Sequence, residues 1–363
     1  MANAIEYTTI EQQITALKEK GLSIENDEMA ARVLQRYGYY NVINSYKEPY
    51  QSNCDGVKTY IEGTTFAQIY SMFTLDHNLR NSTMAAMLEL EECLRAAVAE
   101  VLAVNFGVSQ VEYLNFRNYR DRNCNNPKFT LNAILGKLHN AVGSDKDPIR
   151  YYRERYNVVP PWILLKGTYF STLINLVKYL KKEQKQQLMR MVLKIPADVE
   201  ITDELTTLFQ TSLYICLDYR NAAAHGGRIY NFHSQYTDSI VVTEEMLGLF
   251  PGLRDAENAS GVKLLILLLE IFRDMQSYRI IKNSLNMQVN RHLQKYPEDM
   301  AILSESIGIS IVSTSYVWVN EKTKKFHSNK ECSGMSNATQ TKIEDVDLTE
   351  YVPCKRCISI DEE

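Results

Sequence analysis

The chain has 363 residues, 45% hydrophobic and 23% charged, with 15 Gly, 9 Pro and a net charge of −4, an ordinary globular composition long enough for two or three domains with real cores. At a pI near 6.0 any nucleic-acid surface must be a local patch, which excludes a wholly basic binding protein. The N-terminus lacks a basic region followed by an apolar core, the longest apolar run, Leu264 to Leu269, is far below the roughly 20 residues of a membrane span, and the seven cysteines are odd in number, so we expect a cytoplasmic protein with no membrane contact and no disulfide framework.

Residues 8 to 50 read as short helices. Thr8-Thr9-Ile10-Glu11 fits a capping box in which Thr8 and Glu11 satisfy the first helical amides, and Lys20-Gly21 ends that helix. A second helix from about Asp27 to Tyr37 leads into the tyrosine-rich stretch Gly38 to Tyr46, which suits either base stacking or a core wall with wet hydroxyls. Residues 51 to 63 read as a loop or small hairpin. A long helix is predicted from Thr65 to about Val104, with an apolar stripe through Leu75, Leu79, Met84, Met87, Leu88, Leu94, Val98 and Leu102. It carries two pairs four residues apart with the acid first, Asp76/Arg80 and Glu91/Arg95. On an exposed face each contributes only about a few tenths of a kcal/mol, so one or both are free to face a site.

Two later segments interleave arginine with aromatics, Phe116 to Arg122 with Arg117 and Arg120, and Ile149 to Tyr156 with Arg150 and Arg153. Both fit single-stranded RNA, phosphate to guanidinium and base to ring, and both equally fit a solvated amphipathic helix. Pro160-Pro161-Trp162 starts a helix predicted to run through Phe170, Leu173, Ile174, Val177 and Leu180 before the charged Lys181-Lys182-Glu183 stretch. After Pro196, apolar residues at helical spacing lead to Arg220-Asn221-Ala222-Ala223-Ala224-His225-Gly226-Gly227, where a glycine supplies the left-handed end. Asn221 and His225 share a face, with Arg220 about 100° round and long enough to reach over it. A cation, an amide and a titratable imidazole meet there. A solvated helix end bonding its last carbonyls has the same residues, and spacing alone does not choose between the two.

Farther on, Ile240 to Val242 reads as a short strand, Gly261 to about Leu285 as a helix, Met287 to Gln294 as another, and the alternating β-branched run from Ile307 to Val319 as strand. The expected domains are an N-terminal helical region over 1–62, a helical domain over 63–298 and a small module over 299–363. In that module His327-x4-Cys332 and Cys354-x2-Cys357 have the spacing of a four-ligand zinc site; a thiol redox pair or incidental thiols are the alternatives. Four protein ligands leave no place for substrate, so the zinc is assigned to structure, giving a segment too small for its own core a reason to fold.

Gly21-Leu22-Ser23-Ile24, the Tyr37 to Tyr46 cluster, Gly63-Thr64-Thr65-Phe66, Leu75 to Arg80, Glu91-Glu92-Cys93-Leu94-Arg95, Pro161-Trp162 and Arg220 to His225 occur in an order that resembles the bacterial abortive-infection (Abi-like, AbiD/AbiF type) proteins of the HEPN superfamily, over roughly residues 5 to 235. The tail more weakly resembles Ada-type zinc-binding modules. The resemblance implies a mainly α protein: a HEPN-like helical bundle marked by Arg-x4-6-His, with an N-terminal helical extension and a small C-terminal α/β or β module. It implies metal-independent RNA cleavage in phage defence, usually in a homodimer, with Arg220, Asn221 and His225 catalytic and no cofactor beyond the structural zinc. Candidate substrate contacts are Arg80, Arg95, Tyr219, Arg117, Arg120, Arg150 and Arg153. A neutralising antitoxin or a regulatory noncoding RNA is the expected partner besides the RNA substrate. The competing readings are a catalytically silent RNA-binding or assembly protein on the same scaffold and, through Tyr219, a target of nucleotidyl transfer.

Overall fold

The computed structural model describes residues 7–54, 56–272, 276–308, 316–327, 332, 335, 337–342, 346–347, 349–354 and 356, with 54, 316 and 342 described by backbone alone. The protein is mainly helical with a small C-terminal sheet, and it divides into two compact units, residues 1–81 with 283–363 and residues 82–282.

In chain order the elements are α1 (Ile10–Glu19), α2 (Asp27–Tyr37), β1 (Gln51–Cys54), β2 (Val57–Tyr60), α3 (Phe66–Phe106), α4 (Gln110–Tyr113), α5 (Leu131–Val142), α6 (Ile149–Tyr156) and α7 (Pro161–Leu164). They continue with α8 (Phe170–Tyr179), α9 (Lys182–Leu193), α10 (Asp203–Ala224), α11 (Glu244–Leu249), α12 (Gly261–Glu270), α13 (Ser277–Lys295) and α14 (Met300–Ile307). The strands β3 (Tyr316–Asn320), β4 (Lys325–His327), β5 (Thr339–Lys342) and β6 (Val352–Pro353) close the described chain.

The caps explain most of the boundaries, one residue away from expectation in the first case. Thr9, not Thr8, caps α1: its hydroxyl accepts from the Gln12 amide and the Gln12 side chain accepts from the Thr9 amide. Glutamine closes the box as well as glutamate does. The helix expected from Pro160 to Leu180 is two helices. Gly167 and Thr168 are weak helix formers, α7 ends in a turn over Leu165–Gly167, and the Thr168 hydroxyl donates to the Leu164 carbonyl at 3.2 Å while its backbone goes extended. The helix expected over 261 to 285 likewise stops at Glu270 and restarts at Ser277. Ile240 to Val242 joins no sheet; the Val242 amide donates to the Glu257 carboxyl at 2.8 Å. Ile307 closes α14 with Gly308 in the left-handed region, and the expected strand begins at Tyr316; residues 309–315 of that expectation lie outside the described residues.

In residues 82–282, α8 is the helix buried on nearly every side, with Phe170, Leu173, Ile174, Leu176, Val177 and Tyr179 all inside and α5 and α10 against it. Each such side chain contributes roughly 1.5–3 kcal/mol of transfer free energy. In the other unit, α1 and α2 are joined by Lys18 and Asp27 at 2.7 Å, and β1 and β2 form the expected hairpin. The C-terminal sheet has strand order β5-β3-β4-β6 over a small core of Val317, Val319, Phe326 and Val346.

The same unit contains a buried polar cluster. Asp299 accepts from the Tyr50 hydroxyl at 2.6 Å and the Gln68 amide at 3.0 Å, and faces His292 Nε2 at 2.8 Å. The other ring nitrogen of His292 faces the Ser71 hydroxyl at 2.9 Å. His292 and Asp299 are both 1% exposed, so this serine, histidine and carboxyl series is a fastening inside the core rather than an open site. Asp299→Ala leaves several buried donors without their acceptor, and the expected loss is on the order of 3 kcal/mol. Urea unfolding at constant m-value measures it; a midpoint equal to the wild type's would refute the role.

Candidate functional site

The end of α10 is fixed by a cap that only two glycines allow. Gly226 has φ +74°, the Gly227 amide donates to the Ala222 carbonyl at 2.8 Å and the Gly226 amide to the Ala223 carbonyl at 3.5 Å, which is the Schellman pattern. A Cβ at Gly227 would sit 3.0 Å from that same Ala222 oxygen. The cap holds His225 at the last helical position, its amide bonded back to the Asn221 carbonyl and its side chain exposed. The chain after it is tied down by Ser234, whose hydroxyl donates to Asp218 at 2.7 Å, and by Tyr219, whose hydroxyl donates to the Phe232 carbonyl at 2.8 Å.

Five residues before His225, Arg220 lies near enough to the acid pair of α3 for its charge to act on Glu91. Glu91 is 2% exposed and accepts from Arg95 Nη2. Burial pushes the Glu91 carboxyl above its ordinary value, while the charges of Arg95 and Arg220 pull the other way. Arg95 also donates to the Thr168 carbonyl at 2.9 Å, an acceptor available because the helix breaks at that residue. Three buried polar atoms of this cluster, Glu91 Oε2, Arg95 Nε and Arg220 Nε, have no hydrogen-bond partner among the described residues. Two cations, Arg95 and Arg220, therefore act on one buried acid, and Arg220 shares α10 with the exposed His225.

The other candidate contacts fall in different places. Tyr219 is buried at 1% exposure with its hydroxyl already taken. Arg153 donates to the Val142 and Ser144 carbonyls at 2.9 and 2.7 Å and so closes its own loop, and Arg150 pairs with Asp147 at 2.9 Å. Arg80 belongs to the unit containing α1 and α2, where it donates to His77 Nδ1 at 2.6 Å; burial and then the Arg80 charge push that imidazole below its usual range. Arg117 and Arg120 are exposed on the stretch after α4. Of the Tyr37 to Tyr46 cluster, Tyr46 is buried and donates to Asp76 at 2.6 Å, Tyr37 stands against Phe73 with ring centres 4.9 Å apart, and Tyr40 is exposed. Sequence reading did not find Thr168, since a main-chain acceptor leaves no trace in side-chain spacing.

In the C-terminal sheet, β4 and β6 run parallel with Phe326 opposite Pro353, so the next residues, His327 and Cys354, stand side by side. Their ligand atoms and that of Cys332 lie within 4.8 Å of one another. The Cys332 and Cys354 sulfurs are 3.9 Å apart, too far for a disulfide and close to the roughly 3.8 Å separating two thiolates that share a tetrahedral ion at 2.3 Å. Burial and the Lys325 charge push the His327 ring below its usual range, toward the neutral form a metal binds. These three residues could hold a metal ion; Cys357 lies outside the described residues.

Residues 32–231 match the family described as Abi-like protein. The chain belongs to the Abi-like family. The matched region of this Abi-like chain contains the α3 pair, the Thr168 break and the Arg220 to His225 end of α10, and stops before the metal-binding group. Abi-like membership ties the protein to abortive infection, a phage-defence response. No curated protein and no solved structure matches the chain. No helix among the described residues is long and apolar enough to cross a membrane.

The buried Glu91 gives the Abi-like site a pH signature. A carboxyl raised in the fold contributes most below its unfolded value, and that contribution is lost as pH rises through the folded value. Lowering pH from about 7 to about 4 should therefore stabilise the wild type relative to Glu91→Gln, as read by urea unfolding of both proteins. A difference that stays flat with pH means Glu91 is not held in this way.

Proposed function

We propose that this Abi-like protein is a metal-independent endoribonuclease of phage defence, a HEPN-type helical protein acting on RNA in the cytoplasm. The observation that carries the reading is that Arg220 acts by its charge on the buried Glu91–Arg95 pair and stands on the same helix whose end exposes His225. An arginine fork is suited to a phosphodiester, and a second one beside it stabilises charge growing on the phosphoryl oxygens.

In the proposed step the ribose 2′-oxygen attacks the adjacent phosphorus and the bond to the 5′-oxygen breaks, giving a 2′,3′-cyclic phosphate and a 5′-hydroxyl. His225 takes the 2′-hydroxyl proton, since imidazole exchanges protons near neutral pH, and Asn221, one turn before it, orients the ring or bonds a phosphate oxygen. A second proton must reach the leaving oxygen. One chain offers one such histidine, which is why the reading includes a homodimer whose second copy supplies the acid, or a water that carries the proton. The exposed Tyr169 next to Thr168 offers a face on which a base can stack. An antitoxin or regulatory RNA is the natural complement of such an activity.

The experiment is incubation of purified protein with RNA in EDTA. Cleavage to cyclic-phosphate ends is expected for the wild type, with at least about a hundredfold loss in His225→Ala and Arg220→Ala. Retention of an RNA gel shift without any cleavage by the wild type favours the silent RNA-binding alternative, and undiminished cleavage by His225→Ala removes the histidine from the mechanism.

For the C-terminal sheet we propose a structural zinc held by His327, Cys332 and Cys354 with Cys357 as fourth ligand, in a module of the Ada-type kind. Elemental analysis of the purified protein should find about one zinc per chain, falling to a small fraction in Cys354→Ser, with a lowered melting temperature for the full chain on chelation. Equal zinc content in the two proteins would overturn the assignment.

A further inference from the structure

The stretch after α4 is brought against the far end of α8. Tyr119 bridges Leu180 in antiparallel fashion, and the Arg120 amide donates to the Tyr179 carbonyl at 2.8 Å. Lys185, in the first turn of α9, reaches back to the Lys178 carbonyl at 2.9 Å. Two cationic segments separated in sequence, Arg117-x2-Arg120-x-Arg122 and Lys178-x2-Lys181-x3-Lys185, so become neighbours. Lys185 is 5% exposed, and burial, then the charges of Arg122, Arg120 and Lys178, hold it down to about 8. None of these six cations is in a salt bridge with a carboxylate among the described residues. Capping the α8 C-terminus needs one cation. Stacking five more around it is unfavourable in the free protein, and an anion relieves the repulsion.

The ridge also has a direction. Thr168, whose carbonyl receives Arg95, precedes the first residue of α8, and the ridge sits at the last. Ten helical residues span about 15 Å, so the ridge is separated from the Thr168 end by the length of this one buried helix. Phe116, exposed beside Arg117, adds an aromatic face of the kind single strands use.

We propose that Arg117, Arg120, Arg122, Lys178 and Lys181, with the buried Lys185 behind them, form a phosphate-binding ridge that holds single-stranded RNA at the C-terminal end of α8, at a distance from the reacting bond. This rests on the ribonuclease reading for the identity of the polyanion, and its test is a binding measurement that does not need cleavage. In a His225→Ala background, fluorescence anisotropy with an unstructured RNA of about 20 nucleotides is followed across a salt series for three proteins. One carries the ridge residues, one has Arg120→Gln, Arg122→Gln and Lys181→Gln, and one has Lys146→Gln, Arg254→Gln and Lys263→Gln as an equal change in net charge elsewhere. The three ridge side chains substituted are all exposed, so the fold is expected to persist.

With about 0.7 counterions released per phosphate contact on a single strand, losing three contacts should lower the log–log salt slope by about two and weaken binding at least about tenfold near 0.1 M salt. The control should match the unsubstituted ridge. Equal weakening in both triple variants, or none in the ridge variant, overturns the ridge. If the protein with His225 intact cuts no RNA while the ridge-specific loss of binding is present, the ribonuclease reading fails and the ridge stands.

Discussion

A carboxylate removed from water is tolerable only where cations come with it, and Glu91 is the group on which that requirement falls. It draws Arg95 from its own helix and Arg220 from α10, and Arg95 in turn spans to the broken backbone before α8. Three helices are thereby set in register around one buried acid. The Schellman cap completes the arrangement by fixing where α10 stops, so that the imidazole of His225 is at the surface while the arginine one turn back reaches inward. Structure and candidate chemistry are linked through the same group: the buried acid that holds Arg95 also feels the charge of the arginine proposed to meet a phosphate.

The unit that contains Asp299 solves the same problem without an arginine. Asp299 collects a phenol, an amide and an imidazole, which satisfies its oxygens without an arginine and leaves nothing aimed at a ligand. That contrast separates a fastening from a site. Where every buried polar atom has its partner, the cluster contributes rigidity; around Glu91, buried guanidinium nitrogens are left over, which a folded chain rarely retains without a use for them. The C-terminal sheet is a third case: its core among the described residues is small, and three residues that could hold a metal ion lie together there.

Charge is arranged locally and against the overall balance. The chain is net acidic, yet the end of α8 gathers arginines and lysines with no opposing carboxylate bonded to them, and the Glu91 cluster lies at the other end of the same helix. In a net acidic chain a local cationic patch is where a polyanion is favoured to bind. Among the tyrosines, the same residue type does opposite work a few positions apart: Tyr46 and Tyr219 are sealed with their hydroxyls bonded, whereas Tyr40 and Tyr169 are open.

Much of this was legible before any tertiary information. The helix start at Asp27, the hairpin over 51–60, the continuous α3, the glycine stop after His225 and the pairing of His327 with the cysteines follow from caps, periodicity and ligand spacing, all of which act within a few residues. The breaks at Thr168 and after Glu270 were not legible, because helix propensities differ by about 1 kcal/mol or less for ordinary residues and packing overrides them. Neither was the fate of the arginines: Arg117, Arg120 and Arg153 look alike in sequence, yet Arg153 is consumed by its own loop and the other two face outward beside Lys185. The sequence by itself determined which residues could do chemistry and where each helix could end. Only the tertiary structure decided which of them meet, because contacts between distant segments such as Arg95 with Thr168, or Tyr119 with Leu180, are set by how buried faces pack rather than by any local spacing.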